Sequence, residues 1–157
     1  MQTRRYRYVG PAELRDRVTA VDAVAVDSAA SLDEWLARRY RRDLAEPVTF
    51  VVALDDVLRL APRRSEHIAL AGGRDVLAAG EMAFASAGIG WRVAEVTNQS
   101  TGYCPDPDCW PAVAKALDRL GFTTSWRLHR PGHLSPLPEL RRAQHRAGRR
   151  LHMRPVR

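Results

Sequence analysis

The feature that most constrains the fold is a series of short apolar segments in the middle of the chain, separated by turn residues. Residues 48–54 are a continuous, largely β-branched run, and the Asp55-Asp56 pair that follows is a turn signal. Short turns between such runs favour antiparallel hairpins. We therefore predict five consecutive strands that form an antiparallel meander, at residues 48–54, 57–61, 67–71, 75–86 and 91–97.

Helix signals precede this central segment. Residues 4–9 alternate basic with aromatic or apolar side chains, as in an edge strand, and Pro11 is then well placed to begin a helix over residues 11–18. Ser31 and Glu34 form a capping box ahead of an apolar stripe at helical spacing. The N-terminal part is therefore predicted to be helical.

A further helix is predicted after the strands. It begins at Pro111 and ends at Gly121, and residues 122–128 could add one more strand. The chain is long enough for one sizeable core. We predict a single α+β domain over residues 1–126, with N-terminal helices, an antiparallel meander of five or six strands and one C-terminal helix packed on one face.

The positive charge of the chain is concentrated at its C-terminal end. Of 25 basic and 18 acidic residues, nine basic and one acidic lie from Gly121 onward, so this end carries +8. The preceding 16 basic and 17 acidic residues carry −1. Residues 127–157 are interrupted by Pro and Gly, with a basic helix conceivable only over 139–152. We expect a disordered or loosely helical basic tail, so the body of the chain does not support nucleic-acid binding.

Membrane insertion, secretion and metal binding are not favoured. No apolar run approaches the roughly 18 residues that span a bilayer, and the first residues lack a signal-peptide core. Cys104 and Cys109 are too few and too close for a secreted disulfide framework. With His67 they could be imagined as metal ligands, but a second cysteine pair is missing. We expect a cytoplasmic protein with free thiols and without a metal or cofactor.

The most specific motif is Asn-Gln-Ser-Thr-Gly-Tyr-Cys-Pro at residues 98–105. Together with the segments at 63–67, 77–81 and 110–113, this motif resembles an uncharacterised family of small actinobacterial proteins. The resemblance covers most of residues 4–126 and implies a C-terminal four-cysteine zinc ribbon, with no established activity. A more remote likeness is to the domain of plant IQ-motif calmodulin-binding proteins, but a Thr-Gly pair here replaces the Gly-His of their Ser-Gly-His-Tyr-x-Pro loop.

The tail lacks the cysteines of such a ribbon, but a shifted reading frame would contain them. The single lysine against 24 arginines suggests a G/C-rich gene. In such a gene a cysteine codon lies one base downstream in each of four dipeptides: Leu137-Pro138, Leu140-Arg141, Met153-Arg154 and Val156-Arg157. The two resulting Cys-x-x-Cys pairs have the spacing of a zinc ribbon. Our hypothesis is that a frameshift replaced the ribbon, so zinc is expected only in relatives that retain it.

The resemblance and the predicted strands bring together five candidate ligand-binding residues: His67, Glu81, Asn98, Ser100 and Tyr103. If three successive strands carry the first three of these residues, their side chains converge at one end of the sheet. A histidine beside a carboxylate and a tyrosine can perform general acid–base chemistry. The alternative is structural, because Asn and Ser after a strand commonly cap the loop and the tyrosine commonly packs under the next helix.

Three functions are compatible with these patterns. The leading hypothesis is a small non-catalytic ligand-binding or regulatory module, with an unknown small molecule or protein bound near residues 98–105. The second is an enzyme, a transferase or hydrolase, that uses His67, Glu81 and Tyr103. The third is nucleic-acid binding through the basic tail, to which the local cluster of arginines at 38, 39, 41 and 42 would add little as a solvated helix end.

Overall fold

The structure, a computed structural model, describes residues 4–16, 23–40, 46–63, 65–86, 90–122, 126–130 and 133–136. Its helices are α1 (Ala12–Asp16), α2 (Ala29–Tyr40), α3 (His67–Leu70) and α4 (Trp110–Arg119), with a 3-10 turn at Pro107–Cys109. Its strands are β1 (Val24–Val26), β2 (Val48–Ala53), β3 (Leu58–Ala61), β4 (Val76–Ser86), β5 (Trp91–Thr97), β6 (Trp126–Arg130) and β7 (His133–Pro136). The predicted α+β class and antiparallel sheet are confirmed.

The strands form one sheet in the order β1-β3-β2-β4-β5-β7-β6, and every neighbouring pair is antiparallel. The predicted hairpins β2–β3 and β4–β5 are present. Strand β4 does not follow β3 in space but pairs with the other side of β2, so Phe50 lies between Leu60 and Gly80. This arrangement encloses β2, whose residues are all buried.

The prediction of a strand at residues 67–71 is wrong, because His67–Leu70 is the helical turn α3. A short apolar run of this kind fits a strand or a buried helical turn equally well. The glycines after it decide the outcome: Gly72 and Gly73 have φ values of 60° and 76°, and the Gly73 N–H donates to the Ile68 carbonyl at 3.0 Å, as at a helix C-terminus. The connection from β3 to β4 therefore crosses β2 through α3.

Helices α3 and α4 pack on opposite faces of the sheet. Phe84, which shares the Phe50 face of the sheet, has its ring centroid 6.2 Å from that of Phe122 just after α4. Arg59 points to the opposite face, and its Nη1 donates to the Leu70 carbonyl of α3 at 3.2 Å. Each face is thus covered by a different helix.

Helix α2 begins earlier than its predicted capping box. The Ser31 N–H donates to the Ser28 hydroxyl at 3.2 Å, and the Ser28 N–H donates to the Ser31 hydroxyl at 3.3 Å. This reciprocal pair is a capping box with Ser28 as N-cap and a serine in the position usually held by Glu or Gln. Ser31 is therefore inside the helix, one turn after the cap.

The N-terminal segment and the end of the sheet also differ from prediction. Residues 4–9 join the sheet through a single bridge, from Tyr6 to Val76, rather than as a full strand. Strands β6 and β7 extend the sheet past residue 126, the predicted end of the domain, and residues 137–157 lie outside the described residues. No helix in the described part of the chain is long and apolar enough to cross a membrane.

Candidate functional site

A row of polar residues crosses the α3 face of the sheet. Glu81 in β4 lies directly opposite Thr49 in β2 on one side and Thr97 in β5 on the other. Directly opposite residues of antiparallel strands share a face and bring their Cβ atoms to within about 5 Å. Thr49 is almost completely buried, whereas Glu81 and Thr97 retain partial exposure. We call this group the Thr49–Glu81–Thr97 row.

His67, the first residue of α3, lies beside this row. Its Nε2 is 3.0 Å from the Gly80 carbonyl oxygen. A carbonyl only accepts hydrogen bonds, so neutral His67 carries its proton on Nε2 and leaves Nδ1 as an acceptor. Burial lowers the pKa of His67 below its usual range, against the opposing effects of the Gly80 carbonyl, Glu81 and Glu66. The ring is consequently neutral near pH 7.

Gly80 explains why β4 and β5 approach so closely here. A Cβ atom at this position would collide with the Thr97 carbonyl and would lie 3.0 Å from the Asn98 Cα. Only glycine leaves room for the β5 backbone at this point. The close approach places the end of β5, with Thr97 and Asn98, next to the His67–Gly80 hydrogen bond.

Glu81 has a side chain without a hydrogen-bond or ion-pair partner among the described residues, although it is partly buried. It nevertheless lies close enough to His67 to raise the pKa of the imidazole. Its oxygens are not among the fully buried polar atoms without a partner, so they stay open to water or to a donor from a ligand. Glu81 therefore has acceptor capacity that the described protein groups leave unused.

The loop at residues 98–105 is held together by its own predicted site residues. The Asn98 side-chain amide donates to the Pro105 carbonyl at 2.7 Å and so closes the loop. The Tyr103 N–H donates to the Ser100 hydroxyl at 3.3 Å, and the Cys104 N–H donates to the Ser100 carbonyl at 2.8 Å. These contacts fit the structural alternative for Asn98 and Ser100.

Tyr103 is anchored away from the His67–Glu81 pair. Its hydroxyl donates to the Arg74 carbonyl at 2.6 Å, and its ring meets the Tyr8 ring edge-on with centroids 5.5 Å apart. Burial and the charge of Asp75 raise the pKa of the Tyr103 hydroxyl well above its usual value. Tyr103 thus docks the loop onto the start of β4 and the N-terminal segment.

The structure therefore divides the five predicted residues into two groups. His67 and Glu81 come together on the α3 face, with free acceptor atoms. Asn98, Ser100 and Tyr103 bond to backbone groups around the loop. Two residues of the polar row, Thr49 and Thr97, were not predicted. For Thr49 the one available signal was a threonine within an otherwise apolar strand; β5, which carries Thr97, also contains charged residues, so Thr97 gave no such signal.

The cysteines do not form part of this site. Cys104 is exposed and Cys109 is buried, and both are free. Burial raises the pKa of the Cys109 thiol to about 12, so it stays protonated. Within the described ranges there is no group of three or more His, Cys, Asp or Glu residues that could hold a metal ion.

Comparison with models of known protein families, with curated proteins and with solved structures found no match for this chain.

Proposed function

We propose that this protein is a small, non-catalytic ligand-binding module whose ligand presents hydrogen-bond donors to Glu81 and His67. The observation that carries the proposal is the carboxylate of the partly buried Glu81, which has no partner among the described residues and stays open to solvent. Hydrogen bonds to a carboxylate are stronger than those between neutral groups, so this residue is a preferred partner for a ligand donor. A donor group from a ligand would supply the missing interaction.

The available acceptors define the class of ligand. Glu81 contributes an anionic carboxylate, neutral His67 contributes Nδ1, and the Thr97 hydroxyl lies in the same row. Two acceptors, one of them charged, favour a small molecule with a primary amine or guanidinium group, since hydrogen bonds to charged groups are the stronger kind. The 98–105 loop borders the site where β5 ends and would contact the remainder of the ligand.

The geometry supports binding better than catalysis. An enzyme using His67, Glu81 and Tyr103 would need these groups within hydrogen-bond reach of a common substrate. Within the described chain no hydrogen bond joins any two of the side chains of His67, Glu81 and Tyr103. The Tyr103 hydroxyl already donates its hydrogen bond to the Arg74 carbonyl. Acid–base chemistry through this trio is therefore the less supported alternative.

The proposal can be tested by NMR titration with amine probes. We would add agmatine and putrescine to ¹⁵N-labelled protein, with 1,4-butanediol as the uncharged comparison for putrescine. We expect saturable shifts of the amides at His67, Glu81 and Thr97 with the amines and not with the diol. Glu81→Gln should weaken amine binding about tenfold or more, because it replaces a charged hydrogen-bond acceptor with a neutral one.

Glu13→Gln is the matched control, because Glu13 is an exposed carboxylate on α1. It should leave the titration unchanged. Absence of saturable shifts with every amine, or equal losses in Glu81→Gln and Glu13→Gln, would reject a donor-binding role for this site.

A further inference from the structure

A groove of about 720 Å³ lies at the end of the sheet away from the His67–Glu81 pair. It forms where the N-terminal segment, the β2–β3 turn, the start of β4 and α4 meet. The Tyr6–Val76 bridge joins the N-terminal segment to β4, and the Lys115–Asp56 ion pair joins α4 to the β2–β3 turn. The lining residues are Arg4, Arg5, Leu54, Asp56, Leu77, Asp108 and Lys115.

Two of the cations in this groove are held in place by carboxylates. The Lys115 Nζ is 2.7 Å from an Asp56 carboxylate oxygen, and Arg4 Nη1 is 3.3 Å from Asp108. Arg4 also forms a 2.6 Å ion pair with Asp106. These ion pairs orient the lysine and arginine side chains along the groove wall without the need for a ligand.

Arg5 differs from the other cations. Its exposed side chain forms no hydrogen bond or ion pair within the described part of the chain. The lining therefore contains three cations against two carboxylates, an excess of one positive charge. One anionic group placed beside Arg5 would neutralise the lining.

The groove also offers an apolar surface. Leu54 is 42% exposed, which is unusual for a leucine in this otherwise well-packed domain, whereas Leu77, also in the lining, is only 6% exposed. A guanidinium without a partner among the described residues, in the same groove as an exposed leucine, matches a molecule with one anionic end and an apolar body. Arginine is well suited to the anionic end, because its planar guanidinium binds carboxylate or phosphate oxygens in pairs.

We propose that this groove is a second binding site, for a small organic anion whose carboxylate or phosphate group contacts Arg5 and Lys115 and whose apolar part covers Leu54. The site is separate from the His67–Glu81 pair and does not depend on the function proposed for that pair. This proposal assigns a role to the basic residues of the N-terminal segment, whose described part pairs with the sheet through Tyr6.

The test compares four hexyl compounds on the full chain: hexanoate, hexyl phosphate, hexylammonium and hexanol. Binding is measured by NMR titration at low salt and again at 0.3 M NaCl (about twice physiological ionic strength). We expect saturable binding of at least one of the two anions, centred on residues 5, 54, 77 and 115, and weaker binding at high salt. Hexylammonium and hexanol should not bind there, and a difference between the anions would identify the preferred headgroup.

Three variants separate the contributions of the charged and the apolar residues to anion binding. Arg5→Gln should weaken anion binding about tenfold or more, since a charged hydrogen-bond partner is lost. Arg7→Gln is the control: Arg7 is 87% exposed and does not line the groove, so binding should stay within about twofold. Leu54→Ser should weaken binding of hexanoate but not that of acetate, because only hexanoate has an apolar part that reaches the leucine.

Several outcomes would overturn the proposal. They are absence of binding by both anions, equal binding of hexylammonium, or an Arg5→Gln variant that binds as well as the unaltered protein. Because Arg5 is exposed and forms no ion pair with the described residues, its replacement should leave the fold intact, and the dispersion of the NMR spectrum verifies this directly. Glu81→Gln should leave anion binding unchanged, which keeps the two proposed sites experimentally distinct.

Discussion

The tautomer of His67 is set by Gly80, which is thirteen residues away in sequence, and its neutral state is set by burial. The Gly80 carbonyl fixes the proton on Nε2. Gly80 can occupy this position because it has no side chain to collide with the β5 backbone. A residue-scale feature of the proposed site thus depends on a packing feature of the sheet.

Stability should depend on the protonation of His67. The native pKa of His67 lies below 6.5, the value for an unperturbed histidine, so the unfolded chain binds the proton first as the pH falls. The free energy of unfolding should therefore decrease as the pH falls below about 6.5, until the lower native pKa is reached. Urea unfolding between pH 7.5 and 5 measures this slope.

His67→Gln is the comparison for this measurement. A glutamine amide can still donate a hydrogen bond toward Gly80 but does not titrate, so the variant should show a shallower slope between pH 6.5 and 5. Identical slopes in the two proteins would mean that His67 is as readily protonated in the native state as in the unfolded chain.

At the scale of elements, the loop at residues 98–105 connects β5 to α4 and is fixed by hydrogen bonds from its own side chains. Asn98 closes it through the Pro105 carbonyl, Ser100 orders its turn, and Tyr103 attaches it to Arg74 and Tyr8. These bonds make the loop a rigid border for the proposed ligand site at His67 and Glu81. Rigid surroundings favour binding because less conformational entropy is lost when the ligand arrives.

Loss of the Asn98 or the Tyr103 side-chain hydrogen bond should destabilise the domain. Asn98→Ala and Tyr103→Phe each remove a short hydrogen bond to a backbone carbonyl and should lower the free energy of unfolding by about 1–3 kcal/mol. Thr101→Ala, at an exposed position of the same loop, should change it by less than about 0.5 kcal/mol. Chemical denaturation of the three variants measures the differences. Should Asn98→Ala prove as harmless as Thr101→Ala, the closure of the loop would not rest on the side-chain amide.

At the scale of the whole molecule, the distribution of charge separates the folded body from its C-terminal end. The formal charge of +7 arises from arginines at 127 and beyond, whereas residues 1–120 are almost neutral. Within the described body, about half of the arginines pair with acids, as in Arg4 with Asp106 and Arg38 with Glu34. Net charge therefore says little about the partners of the body.

Replacing Arg141, Arg142, Arg146, Arg149 and Arg150 with glutamine tests this conclusion. Nonspecific affinity for a short DNA duplex should fall strongly, and its dependence on salt should become shallower, because fewer phosphate counterions are released. Fluorescence anisotropy at several salt concentrations measures both quantities. Unchanged affinity and salt dependence would instead implicate the arginines of the body, beginning with the N-terminal segment.

The sequence by itself determined the elements whose signals are local. Strands β2, β3, β4 and β5 follow from β-branched or apolar runs bounded by turn residues, and α4 follows from Pro111, its apolar stripe and Gly121. His67 and Glu81 were also identified from sequence, although His67 was expected on a strand. The capping serine at position 28 was missed because its partner, Ser31, is not the usual Glu or Gln.

Only the tertiary structure decided which elements and side chains meet. An apolar tetrapeptide at 67–70 is ambiguous until Gly72 and Gly73 take positive φ values and end a helical turn. Pairing of β4 with β2 rather than β3 sets Thr49 beside Glu81, and no local pattern encodes a contact between strands so far apart in sequence. The groove beside Arg5 likewise exists only because four separate segments converge. Secondary structure depends on near neighbours in the chain, whereas a binding site depends on register and packing between distant ones.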